Sequence, residues 1–220
     1  MISSLEDLFN ALNNNCLYII LRNWDNVFDE EIYCSGHEDI DILCDDKEAF
    51  FNLTNAYSVH RNRCRDNYIV PCGKTLVRFD VRWVGDGYYP VEWEKQLLKR
   101  RVLKQNGIYV PCPEDYFYSL AYHAFFQKRK LSDEYQFKLQ NLYKSIGGKE
   151  SINKGSLFTV LNQYMDENGY FVSIPCDPAV QLNWLNIKKI GYNRDINLIF
   201  RRYIFRFNMI LSHIFHKIKL

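Results

Sequence analysis

The apolar positions of this chain change period about halfway along. Up to residue 84 they fall in short runs; beyond about residue 110 they recur at helical spacing. Leu5, Leu8, Phe9 and Leu12 share one helical face, which predicts a helix over residues 3–13 with Ser3 or Ser4 as its cap and acids in its first turn. Cys16 to Leu21, CLYIIL, is a continuous apolar run, as expected of a strand covered on both faces. Arg22-Asn23-Trp24-Asp25-Asn26 breaks it. DIDILC over 39–44 predicts a second strand, and Asp45-Asp46 turns the chain into a helix near 47–56. Residues 57–60 and 67–70 are weaker strand signals. LVRFDVRWV over 76–84 predicts a strand with period-2 alternation and ends at Gly85-Asp86-Gly87.

Helical patterns follow over 91–105, 113–128, 132–145 and 156–167, with a basic helix closing the chain. Asn106-Gly107 and Gly147-Gly148 are stop signals, and 108–110 is a short extended piece. Pro113 with Glu114 and Asp115 suits a first helical turn, and Ser132 a cap. The expected fold class is α+β. An α/β-type mixed sheet with flanking helices occupies residues 1–110, and a mostly helical half occupies 111–220.

Composition narrows the function. Hydrophobic residues are 47% of the 220, enough for a real core, and charged residues are 25%, which argues against global disorder. The net charge of +2 gives no reason to expect a stable nucleic-acid partner. The seven cysteines are odd in number and contain no C-x-x-C, so reduced thiols in a cytoplasmic protein are expected rather than a disulfide framework or zinc ribbon. The N-terminus has no basic, apolar leader pattern, and no stretch approaches the roughly 20 apolar residues of a membrane-spanning helix.

The chemistry concentrates in three aspartates. Asp39 and Asp41 stand two apart on a strand, so their carboxylates share one sheet face while Ile40 and Ile42 take the other. Asp80 sits between Phe79 and Val81 in the alternating strand, where a charge needs a reason. Like charges held together call for a neutralising cation, and a hard oxygen cluster suits Mg²⁺ (or Mn²⁺) with substrate phosphate oxygens as further ligands.

At these residues the chain resembles the nucleotidyltransferase-fold superfamily, the polymerase-β-like enzymes. The matching pieces are CLYIILRN, GHEDIDILCDD and LVRFDV, within residues 16–84. The resemblance implies metal at Asp39, Asp41 and Asp80, with Asp80 a candidate for accepting the acceptor's proton. It also implies a nucleotide or nucleotide-activated donor, and transfer of a nucleotidyl or related phosphoryl group to a small-molecule or glycan hydroxyl. The usual Gly-Ser of the family is missing. Arg22-Asn23 ends the first strand instead, and Ser35-Gly36 precedes the acids, so Arg22 could hold a phosphate by charge. A non-catalytic phosphate-binding module and a toxin acting on RNA or protein are the alternatives.

Several other groups have two readings each. Arg78 and Arg82 share the Asp80 face, as ion-pair partners or phosphate ligands. His123 is either a packed helix residue or a base or phosphate contact. Lys128 is either a phosphate contact or part of a dipole-capping run with Arg129 and Lys130. Gly85 to Tyr89 forms a tight turn or a lid. Arg61, Arg63 and Arg65 form a basic strip or a solvated edge. Over 196–220, apolar residues from Ile196 to Ile218 oppose Arg201, Arg202, Arg206, Lys217 and Lys219. That cationic amphipathic helix suits either an anionic membrane surface or packing on protein. A peripheral enzyme of surface-polysaccharide biosynthesis at the inner membrane face is compatible with this cast.

Overall fold

The computed structural model describes residues 2–34, 38–58, 67–128, 131–175, 177, 179–190, 199–200, 202–204, 207 and 211. Ser35, Gly36 and the Arg61–Arg65 strip lie outside them, as does most of the closing basic helix.

The chain begins with helix α1, Leu5–Asn15, where the Ser4 hydroxyl accepts the Asp7 N–H and an apolar face buries Leu5, Leu8, Phe9 and Leu12. Strand β1, Tyr18–Ile20, follows, then the short helix α2, Glu30–Cys34, and strand β2, Asp39–Cys44. Asp46 caps helix α3, Lys47–Thr54, by accepting from the Glu48 and Ala49 N–H groups, and Asn55 ends it in a left-handed conformation. Strands β3 (Tyr57–Ser58), β4 (Asn67–Cys72) and β5 (Thr75–Trp83) complete the sheet.

The sheet order is β1-β2-β5-β4-β3. Only the β2–β5 pair among these neighbours is parallel. The mixed sheet with flanking helices is the expected α+β class. Alternation assigns its two faces. Tyr18, Ile20, Ile40, Ile42, Val77, Phe79 and Val81 join one core with α1 and Phe50 of α3. Ile19, Leu21 and Leu43 point the other way, into a second core with the later helices. Asp39, Asp41, Asp80 and Arg82 lie on this second face by the same alternation.

Helix α4, Val91–Lys99, is shorter than the 91–105 expected. The chain leaves it to pair strand β6, Val102–Leu103, with β7, Tyr109–Val110, around a turn in which Gly107 takes φ 82°. Helix α5, Pro113–Tyr122, continues into a π-helical turn, His123–Gln127. Helices α6 (Asp133–Ser145) and α7 (Lys154–Glu167) follow, the latter opened by a reciprocal Asn153–Ser156 cap. An irregular stretch leads to α8, Trp184–Ile187. Arg100 donates from Nε to Asp115 Oδ2 at 2.9 Å and from Nη2 to the Tyr164 hydroxyl at 3.1 Å, tying the end of α4 to α5 and α7.

No helix among the described residues is long and apolar enough to cross a membrane. Phe200, Tyr203, Ile204 and Phe207 are exposed, whereas Arg202 turns inward and donates to the Asp177 and Val180 carbonyls at 2.6 and 2.8 Å. Arg202 is thus not on a solvated cationic face as expected.

Candidate active site

The parallel register of β2 and β5 sets Asp41 directly opposite Asp80, and Asp39 opposite Arg78. Because Asp39, Asp41 and Asp80 share a face, the three carboxylates meet at one place over the sheet. Asp39 and Asp80 border a cleft of about 480 Å³ whose lining includes Arg22, Asn67, Arg82, Tyr88, His123, Gln127, Lys128 and Asp177. Six residues predicted for the site, from Arg22 through Lys128, are therefore on its wall. Asp41 lies just behind them.

Each acid has a different partner. Arg22 grips both oxygens of Asp41: Nε donates to Oδ2 at 2.7 Å and Nη2 donates to Oδ1. Asp80 Oδ1 accepts from Asn67 Nδ2 at 3.1 Å, and its Oδ2 is 3.9 Å from Arg82 Nη2. Asp39 takes no such guanidinium among the described residues. Burial, and then the charges of Asp41 and Asp80, push its carboxyl up to about 6, against a smaller opposing effect of Arg22. Burial also raises Asp80, with Arg82 opposing.

Arg82 is almost wholly buried. Its Nη1 is 3.5 Å from Asp177 Oδ2 and 4.0 Å from Asp86 Oδ2, and its guanidinium lies 4.4 Å from the Tyr88 ring centroid. Of its two expected roles, the ion-pair one is the one these contacts describe. Arg78 is exposed and Asn23 holds a left-handed φ of 58° at the turn after β1; neither is on the cleft wall.

Gly85 to Tyr89 is an anchored turn rather than a lid. Asp86 is buried and accepts the Tyr88 N–H at 2.7 Å, while the Glu94 carboxylate accepts the Gly85 and Tyr89 N–H groups at 2.7 and 3.1 Å. Gly87 must be glycine: at φ +79° a Cβ would lie 2.4 Å from the Ile174 carbonyl oxygen. That close approach brings the irregular 170s segment, and hence Asp177, over the cleft.

The turn aims Tyr88 at the cleft. Its hydroxyl accepts from Arg22 Nη1 at 3.3 Å and lies 3.0 Å from His123 Nδ1. His123 Nδ1 is also 2.8 Å from Gln127 Oε1, and Gln127 Nε2 donates to the Tyr88 backbone carbonyl at 3.0 Å. The carbonyl fixes which end of the Gln127 amide faces the ring. An oxygen against Nδ1 assigns the ring proton to Nδ1 and leaves the lone pair on Nε2. Burial, then Arg22, hold the imidazole well below its usual range, so it is neutral near pH 7. The π-helical turn sets His123 and Gln127 side by side, and such turns recur at functional sites.

Among the described residues no group of three or more His, Cys, Asp or Glu side chains is placed to hold a metal ion. With Asp41 engaged by Arg22 and Asp177 facing Arg82, the carboxylates left to the cleft among the described residues are Asp39 and Asp80. Two carboxylates with raised proton affinity fit a Mg²⁺ ion that takes its remaining ligands from water and phosphate. Asp41 fits that role only once Arg22 has let go.

No family model, curated protein or solved structure matches the chain. The residues not foreseen from sequence are Asn67, Gln127 and Asp177. Asn67 sits opposite Asp80 in the β4–β5 ladder, a register that single-strand patterns do not reveal.

Proposed function

We propose that the chain is a Mg²⁺-dependent enzyme that transfers a nucleotidyl or related phosphoryl group to a small-molecule or glycan hydroxyl, on a nucleotidyltransferase-type fold. The observation that carries this reading is the Asp41–Asp80 pairing, which gathers three carboxylates beneath a cleft that also holds Arg22, Lys128 and a neutral His123. Acids for a metal and cations for phosphate in one cleft are what phosphoryl transfer asks of a protein.

Asp39 and Asp80 would hold the ion, which when bound screens the charge of the phosphate and of the developing leaving group. Arg22 presents a planar fork that matches a phosphate as well as it matches Asp41. A donor phosphate entering the cleft would draw it off, freeing Asp41 to become a ligand. Lys128 adds a second cation from the opposite wall. The acceptor hydroxyl oxygen would attack phosphorus as the bond to the leaving oxygen breaks, its proton passing to Asp80 or to His123 Nε2. Contact with the inner face of a membrane through residues 196–220 is supported by the exposed Phe200, Tyr203, Ile204 and Phe207, and would suit an enzyme of surface-polysaccharide assembly.

A non-catalytic phosphate-binding module is favoured by one observation, the occupation of Asp41 by Arg22. Consumption of the four nucleoside triphosphates with Mg²⁺ separates the two. One nucleotide consumed by the wild type, and by neither Asp39→Ala nor Asp80→Ala, supports the enzyme. Tight nucleotide binding without turnover, for any acceptor hydroxyl supplied, supports the module.

A further inference from the structure

A second cavity, of about 550 Å³, lies beyond the opposite end of the β2–β5 pair. Its lining is Leu17, Asp45, Val84, Lys95, Leu98, Lys99, Arg101 and Tyr109. Leu17 precedes β1, Asp45 follows β2 and Val84 follows β5, so the floor is the edge where these strands end. Helix α4 and the β6–β7 hairpin supply the walls. This volume is in the range of small-molecule sites.

Its chemistry is divided. Leu17, Val84, Leu98 and the Tyr109 ring are apolar, and Leu17 is 45% exposed although it opens on this cavity. The charges are lopsided. Asp45 is the one acid of the lining against three cations, and its Oδ1 accepts the Leu17 N–H at 3.3 Å and the Asp46 N–H at 2.9 Å, pinning the strand ends together. Lys95 reaches out to Glu92 at 2.7 Å on the surface. Lys99 and Arg101 have no carboxylate among the described residues. The Arg101 guanidinium lies 4.1 Å from the Tyr109 ring centroid, and its Nη1 is enclosed with no hydrogen-bond partner. That N–H is closed to the cavity as well as to solvent, so a ligand meets the part-exposed remainder of the guanidinium, which has no carboxylate among the described residues to neutralise it.

We propose that this cavity is a binding site for an organic anion: a carboxylate, sulfonate or phosphate held by Arg101 and Lys99, carried on an apolar body that covers Leu17, Val84, Leu98 and Tyr109. Arg101 is stacked and oriented by Tyr109, so the exposed edge of its guanidinium meets the anion without first having to be ordered. The site does not depend on the chemistry of the Asp39–Asp80 cleft, and it stands whether or not that cleft turns over nucleotides.

Four probes on the full chain, measured by isothermal titration calorimetry, test it: octanoate, 2-naphthoate, acetate and 1-octanol. The proposal expects one octanoate or one 2-naphthoate per chain, with acetate and 1-octanol each at least about tenfold weaker, because neither half of the ligand suffices alone. Preference between octanoate and 2-naphthoate tells an acyl body from an aromatic one. Arg101→Gln weakens the better probe at least about tenfold, the scale of a lost charge-assisted pair. Lys99→Gln, at an exposed helix end where folding is not at risk, weakens it several-fold. Unchanged affinity in both variants overturns the proposal, as does 1-octanol binding as tightly as octanoate, or the absence of binding by both larger anions at millimolar concentration.

Discussion

Arg22 holds Asp41 by a two-point grip, Nε to Oδ2 at 2.7 Å and Nη2 to Oδ1, and steadies itself on the Tyr88 hydroxyl. The pair joins the end of β1 to the middle of β2, and it neutralises the acid that sits between Asp39 and the opposing Asp80.

Removing one member of a buried pair leaves the other charged and uncompensated. Arg22→Met is expected to destabilise the fold by about 3 kcal/mol at pH 7. Adding Asp41→Asn should recover more than half of that loss, since the stranded charge goes with it. Urea denaturation of the two single variants and the double variant closes the cycle. Additive losses would mean that the grip contributes nothing beyond packing.

Asp39 contributes to the pH dependence of the cleft. Its carboxyl is raised from 3.8 to about 6, so the folded state binds the proton more tightly than the unfolded chain. The stabilisation is fully present below about pH 4 and is lost as pH rises through about 6. Asp39→Asn should therefore gain on the wild type between pH 4 and 7, by about 1 kcal/mol once solvent screening is allowed for. Denaturation midpoints at those two pH values read the gain. Added Mg²⁺ should lower the Asp39 titration midpoint in the wild type, as seen by carboxyl-carbon NMR.

His123 makes the opposite contribution. Its pKa lies well below 6.5, so the stability it supports is present above the unfolded value and falls as pH drops below it. Nitrogen NMR should find one tautomer with the proton on Nδ1 at pH 7. Gln127→Leu removes the acceptor that fixes the proton, and a mixture of tautomers should follow. The same single tautomer in Gln127→Leu would assign the orientation to Tyr88 instead.

The Arg100–Asp115–Tyr164 tie lies away from the cleft and serves stability alone. Asp115 is fully buried, and Asp115→Ala should cost about 2–3 kcal/mol, with Arg100 partly exposed and able to rehydrate. Nucleotide binding in the folded variant should match the wild type.

Much of the sheet was legible because β2 and β5 each state their two faces by alternation. Asp39, Asp41 and Asp80 could be placed on one face from period alone, and their convergence then needed only that the strands be neighbours. The end of α4 was not legible. Residues 100–105 continue the helical pattern, yet Val102 and Leu103 are claimed by Tyr109 and Val110, and tertiary pairing outweighs local propensity. Asp177 was invisible for a different reason. It lies in a stretch without periodicity, 95 residues from Arg82, and reaches it only because Gly87 admits the Ile174 carbonyl. The grip of Arg22 on Asp41 was also missed, since Arg22 was expected to face phosphate.

Metal binding tests the central claim without knowledge of the acceptor. Mn²⁺ held by the full chain can be read from water-proton relaxation, alone and with each of the four α,β-methylene nucleoside triphosphates. Strong enhancement with one of the nucleotides is expected in the wild type, with weaker enhancement for Mn²⁺ alone while Arg22 keeps Asp41. Asp39→Asn and Asp80→Asn should each weaken it at least about tenfold with unchanged circular dichroism. Equal enhancement in all three proteins, or none in the wild type with any nucleotide, would contradict the account.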